Sequence, residues 1–263
     1  MATIPLYDET TYNRLRSVRR TMTSDWPDVA PVFVPVGPDP EVAETLQPPL
    51  RILFVGQIAY ENAPKVPAQA GSAPISEDAD ERSLRDAQTL DAAAKRSAAA
   101  QAGLLADDSY FWRATRTILG QALGAVGASS WMHRLPEVAG WSNLAKVHLV
   151  QAGHHNPEPS FILPQAEACV AALRTEILTA RPTVTIFMSG NWAQEEILFP
   201  AFGRVWGQSA QREDRVSVCE HAEFGPLLWI DHPTTLHFGR NGEQSEVLGF
   251  VAGYAAACSK LRR

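Results

Sequence analysis

Arg51-Ile52-Leu53-Phe54-Val55-Gly56 decides the fold class. The run is short, apolar and closed by glycine, as in a strand buried on both faces of a parallel sheet. Residues 146–150, 183–188 and 227–230 read the same way. Helical patterns lie at residues 111–123, 163–179 and 245–260. Within 163–179, Glu167, Cys169, Val170, Leu173 and Ile177 are spaced for one buried stripe. Strands alternating with helices predict an α/β fold: a three-layer α-β-α sandwich with a central, mainly parallel four-stranded sheet.

The remaining sequence attaches to that frame as one domain over residues 1–263. Residues 1–45 form an N-terminal extension, a helix followed by a segment with Pro27, Pro31, Pro35, Pro38 and Pro40. Residues 62–109 break the strand–helix rhythm. They read as an insertion after the first strand, with an Ala-rich helix over 79–102. A lid or partner surface and a partly ordered excursion are equal readings of it.

Composition is that of a globular protein with a substantial core, 45% hydrophobic and 20% charged. No apolar run approaches the ~20 residues of a membrane helix, and residues 1–20 lack a signal-peptide core. The expectation is a cytoplasmic protein with no membrane partner. Cys169, Cys219 and Cys258 are too few and too scattered for a disulfide framework, a zinc site or a four-cysteine cluster. No cofactor and no metal are expected. The formal charge of −6 gives no bulk attraction to nucleic acid, so any such binding needs a local basic face. Arg14, Arg16, Arg19 and Arg20 cluster near the N-terminus, as a basic patch or as a solvated helix face.

In parallel sheets ligands sit beyond the carboxyl ends of the strands. Three segments there carry chemistry. Gly56-Gln57-Ile58-Ala59-Tyr60-Glu61 follows the first strand. Glycine permits a tight turn with exposed amides, which stabilise developing negative charge. Trp141-Ser142-Asn143-Leu144 enters the second. Asn143 is either a turn residue or a buried carboxamide, whose donor and acceptor read the edge of a pyrimidine. Asp231-His232-Pro233-Thr234-Thr235-Leu236-His237-Phe238-Gly239-Arg240 follows the last. His232 is a satisfied core histidine or a functional one. Leu236 and Phe238 beside Arg240 read as an exposed apolar wedge with a phosphate binder, suited to a DNA groove.

These three segments, in this order, resemble the uracil-DNA glycosylase superfamily. Its classical members carry Gly-Gln-Asp-Pro-Tyr-His at the positions of Gly56 to Glu61. They carry an asparagine at the position of Asn143. They carry His-Pro-Ser-Pro-Leu where this chain has His232-Pro233-Thr234-Thr235-Leu236, and an arginine at the distance of Arg240. The likeness covers residues 48–258 apart from the insertion. The chain departs from the pattern at Ile58, where the water-activating aspartate falls. Glu61 is the candidate replacement.

The resemblance implies a DNA glycosylase that flips a nucleotide out of the duplex. It would cut the N-glycosidic bond of uracil or a modified pyrimidine, hypermodified phage cytosine included, in base-excision repair or phage defence. The catalytic set would be Glu61, His232 and Asn143, with Glu61 orienting water and His232 stabilising the departing base anion. Gly56, Gln57, Ile58, Tyr60 and Phe111 would line the base pocket. Phe111 and Tyr110 compete as the stacking aromatic, against helix core as the plain reading of either. Thr234, Thr235, Leu236, Phe238 and Arg240 would bind DNA. No lysine occupies a position that demands a Schiff base, with Lys146 the one to check, so a monofunctional enzyme leaving an abasic site is expected. The alternative is a catalytically inactive DNA- or base-binding protein on the same fold, which Ile58 and the acidic charge favour. Narrower alternatives are a small-molecule N-glycosidase and covalent trapping of the DNA sugar by His237.

Overall fold

The computed structural model describes residues 7–25, 49–58, 109–130, 138–146, 159–203, 216–238 and 243–261. The Pro-rich segment and all of the insertion before Ser109 lie outside the described residues. Five strands form one sheet: β1 Ile52–Ile58, β2 Ala139–Ala145, β3 Val184–Met188, β4 Val216–His221 and β5 Gly225–Ile230. Their order is β2-β1-β3-β5-β4. The first four in that order run parallel, and β4 is antiparallel to β5. Among the described residues the sheet therefore has one strand more than the expected four.

That extra strand belongs to a hairpin. His221 pairs with Gly225, whose φ of +73° suits the tight reversal. The His221 ring nitrogen Nδ1 accepts from the N–H groups of Glu223 (3.1 Å) and Phe224 (3.3 Å), which fixes the turn. Val216, Ser217 and Val218 are half-buried, so this edge strand lacks the continuous apolar signature of its neighbours.

β2 also departs from expectation. It spans Ala139–Ala145, ahead of the apolar run at 146–150, and residues 147–150 lie outside the described residues. Trp141-Ser142-Asn143 reads as a strand entrance because it is polar. All seven residues of β2 are nonetheless buried, so their polar groups must find partners inside the protein.

Helical cores cover both faces of the sheet. Five longer helices are α1 Glu9–Asp25, α2 Tyr110–Ala125, α3 Ala166–Ala180, α4 Pro233–Phe238 and α5 Glu243–Leu261. Strand alternation sorts the side chains between two cores. Ile52, Phe54, Ile186, Met188, Leu228 and Ile230 meet α2, α4 and α5. Leu53, Val55, Phe187, Leu227 and Trp229 meet α1 and α3. In this second core the rings of Phe187 and Trp229 stack, 5.6 Å apart and 12° from parallel. Cys169, Cys219 and Cys258 are buried, and no disulfide joins them.

Local chemistry sets the helix ends. The Asp8 carboxylate accepts from the Thr11 N–H at 2.7 Å and caps α1. Ser109 caps α2, accepting from the Trp112 N–H at 3.4 Å. α3 follows a 3₁₀ turn, Leu163–Gln165, and stops at Arg181, in the left-handed region at φ 45°, just before Pro182. The Arg181 carbonyl accepts from Arg51 Nε at 2.7 Å, and the Thr183 hydroxyl bonds to Arg51 at both N (3.1 Å) and O (2.7 Å). These bonds set the register in which β1 and β3 begin.

The arginine cluster on α1 is not one open face. Arg19 is buried, and Arg14 lies 3.6 Å from Glu167. Among the described residues no helix is long and apolar enough to cross a membrane.

Candidate functional site

Gly56 lies within β1, paired with Asn143 of β2 on one side and Met188 of β3 on the other. The strand continues to Ile58. Gly56 is thus not a turn, as its sequence context suggests, and its backbone stays in the ladder. The glycine is required for space instead. A Cβ at position 56 would lie 2.7 Å from Asn143 Oδ1 and 3.2 Å from Phe111 Cε2. The missing side chain leaves a cradle that the Asn143 carboxamide and the Phe111 ring occupy.

Both groups are held from outside the cradle. Asn143 is only 7% exposed. It shares its sheet face with Trp141, two residues back on β2. The Trp112 ring stands edge-on to Trp141 (5.1 Å) and to Phe111 (5.0 Å). Phe111 is half-buried on the first turn of α2. Tyr110 is committed elsewhere. It stacks on His237 of α4, centroids 4.3 Å apart, with the Arg113 guanidinium 5.4 Å from its ring centre. Of the two candidate stacking aromatics, Phe111 is therefore the one at Gly56. Gln57, also buried, takes the opposite face by strand alternation, away from Asn143. Its expected place among the pocket side chains is corrected accordingly.

His232 follows β5 and opens α4. Its Nδ1 accepts from the Thr234 N–H at 3.3 Å. A nitrogen that accepts carries no proton, so the neutral ring bears its hydrogen on Nε2. Burial pushes the imidazole below the usual 6.5 and keeps it neutral. Gly190 follows β3 at φ +82°, a left-handed conformation that favours glycine, and a Cβ built there would lie in ordinary contact with the His232 Cβ, at 3.7 Å.

The unfolded chain binds a proton at this histidine before the folded chain does, so folding stability falls as pH drops from about 6.5 through the lower folded value. Wild type is expected to lose more stability between neutral and mildly acidic pH than His232→Gln does. Urea denaturation across that range measures the difference, and equal losses would remove the burial argument.

The rest of the third segment differs from expectation. Pro233–Phe238 is a short helix. Within it Leu236 turns inward, 1% exposed, into the core shared by α2 and α5. It is a core residue and not an exposed wedge. Thr235 is exposed and Thr234 half-buried. Leu236→Ala should cost about 2–5 kcal/mol of stability, whereas Thr235→Ala should stay within about 0.5 kcal/mol. Thermal unfolding of both separates core from surface. Tyr60, Glu61 and Arg240 lie outside the described residues, as do the side chains of Ile58 and Phe238.

One cluster was not legible as a unit in the sequence. Lys146 is wholly buried behind β2, on the face opposite Asn143. Its ammonium lies 2.7 Å from both oxygens of the Glu176 carboxylate and 2.6 Å from Ser142 Oγ. The Ser142 hydroxyl donates to Glu176 at 2.5 Å, and the Tyr7 hydroxyl donates to its other oxygen. The Lys146 N–H donates to Cys169 Sγ at 3.3 Å. Burial pushes the Cys169 thiol up to about 12, so it stays protonated. A signal existed for Glu176. It falls on the buried stripe of α3 between Leu173 and Ile177, where a carboxylate requires a partner.

Neither a scan against protein-family models nor a search of the curated proteins finds a match to this chain.

Proposed function

We propose that this chain is a monofunctional DNA N-glycosylase built on a three-layer α-β-α sandwich. Its substrate is a flipped-out uracil or modified pyrimidine, and its product an abasic site. The observation that carries this reading is the cradle at Gly56. It holds a buried carboxamide, which has a donor and an acceptor for a pyrimidine edge, beside an aromatic ring.

His232 supports the same reading. β1 and β3 separate β2, which carries Asn143, from β5, which leads to His232, so the two strands lie about 14 Å apart, three strand spacings. Two inward-reaching side chains and one flat ring span such a gap. A neutral imidazole with its hydrogen on Nε2 donates to a base oxygen as that base leaves as an anion. Phe111 supplies stacking, worth roughly 1–3 kcal/mol per base. Thr234 and Thr235, the first half-buried and the second exposed, are assigned the DNA backbone. Lys146 cannot reach a sugar, because it is buried on the far side of β2. That favours simple hydrolysis over lyase chemistry. Glu61 is assigned the water.

Ile58 favours a second reading. By the resemblance, Ile58 falls at the position where that family activates water, and isoleucine cannot do so. In that reading the cradle binds a base and releases nothing. The test is a survey of released bases by mass spectrometry. The protein is incubated with uracil-containing DNA, ordinary DNA and phage DNA carrying modified cytosines. A free base from one of them, lost in His232→Ala, supports the glycosylase and names its substrate. DNA bound with no base freed supports the inactive binder.

A further inference from the structure

Ser142 and Asn143 are neighbours on β2 and face opposite sides of the sheet. Asn143 enters the Gly56 cradle. Ser142 enters the buried cluster behind it, where the Glu176 carboxylate accepts from Ser142, Lys146 and Tyr7. Glu176 belongs to α3 and Tyr7 to the segment that leads into α1. Three separate parts of the chain therefore meet at one carboxylate.

Net stability is a weak reason for such a cluster. A buried ion pair often does no better than apolar residues of the same volume, because desolvation cancels most of the attraction. What directional bonds add is geometry. The bonds to Glu176 are buried and directional, so sliding or rolling the carboxyl end of β2 would strain or break them. The apolar neighbours in this core, such as Leu144 and Leu173, impose no such alignment.

We propose that Tyr7, Ser142, Lys146 and Glu176 are positioning residues for Asn143. They hold the carboxyl end of β2 from behind so that the Asn143 carboxamide stays in the Gly56 cradle, and Tyr7 ties the N-terminal segment to that end. The kinetic half of this inference rests on the glycosylase reading; the structural half does not.

The test uses the full chain and three variants. Tyr7→Phe and Ser142→Ala each remove one donor to Glu176. Leu173→Ala weakens the same core but removes no donor to Glu176. The first readout is the pair of side-chain carboxamide cross-peaks of Asn143 in a ¹H–¹⁵N spectrum, assigned by their loss in Asn143→Ala. The second is the kcat and KM for base release. Both donor variants should shift the Asn143 pair more than Leu173→Ala does. They should also lower kcat roughly tenfold or more, with KM changed less. Unshifted Asn143 peaks in a folded Tyr7→Phe protein overturn the proposal, and that variant carries the test alone should Ser142→Ala not fold. Shifted peaks in a protein that frees no base from any DNA uphold the positioning and overturn the glycosylase. Base release that neither donor variant slows, with unshifted peaks, does the reverse.

Discussion

Gly56→Ala should lower base release by about 100-fold or more while the protein remains folded. The added Cβ lies 2.7 Å from Asn143 Oδ1, closer than such atoms approach, and 3.2 Å from Phe111 Cε2. Backbone movement is the costly way out, since Gly56 is paired to β2 and β3 at once. The carboxamide and the ring must yield instead. Overpacking of this kind costs about 1–3 kcal/mol, which leaves the fold standing. Stacking and edge recognition both depend on the two displaced groups, and an error near 1 Å is enough to lose most of the rate. Pairing kcat/KM with a thermal melt separates the effects. A fully active Gly56→Ala protein would mean that the two groups held in the cradle do not bind the base.

Lys146→Met should cost about 3–5 kcal/mol of stability, the largest loss expected of any single exchange discussed. Lys146 is 0% and Glu176 2% exposed, so both charges are withdrawn from bulk solvent. Removing the ammonium strands a carboxylate in the apolar core of α1 and α3. Tyr7 and Ser142 still donate to it but carry no charge. A second exchange, Glu176→Leu, removes the stranded group and should recover much of the loss, because the whole pair is close to neutral against apolar residues. Urea denaturation of the single and double variants reads this directly. A double variant as unstable as Lys146→Met would show that the cluster contributes stability in its own right.

Periodicity carries much of the architecture but little of the site. The runs at 51–56, 183–188 and 227–230 are strands because both faces of a parallel sheet demand apolar residues. β2 is hard to read because Ser142 and Asn143 are polar; the partner of Ser142, Glu176, and the space for Asn143 at Gly56 are both remote in sequence. β4 escaped because an edge strand is half-exposed and its pattern is diluted. The same reasoning holds at the site. A glycine at position 56 is visible in the sequence, but the side chains that need its missing Cβ come from β2 and α2. Leu236 reads as exposed beside Thr235, whereas the short helix after His232 rotates it into the core. The Lys146–Glu176 pair joins a strand end to a helix stripe 30 residues on, a separation no local pattern encodes.

The most direct measurement of the central claim compares wild type with Asn143→Ala on the DNA that yields a free base, the base being identified by mass spectrometry. The account predicts release of one pyrimidine by wild type. It predicts none detectable from Asn143→Ala at equal DNA binding. Equal release by the two proteins, or no release by either with DNA bound, would contradict it.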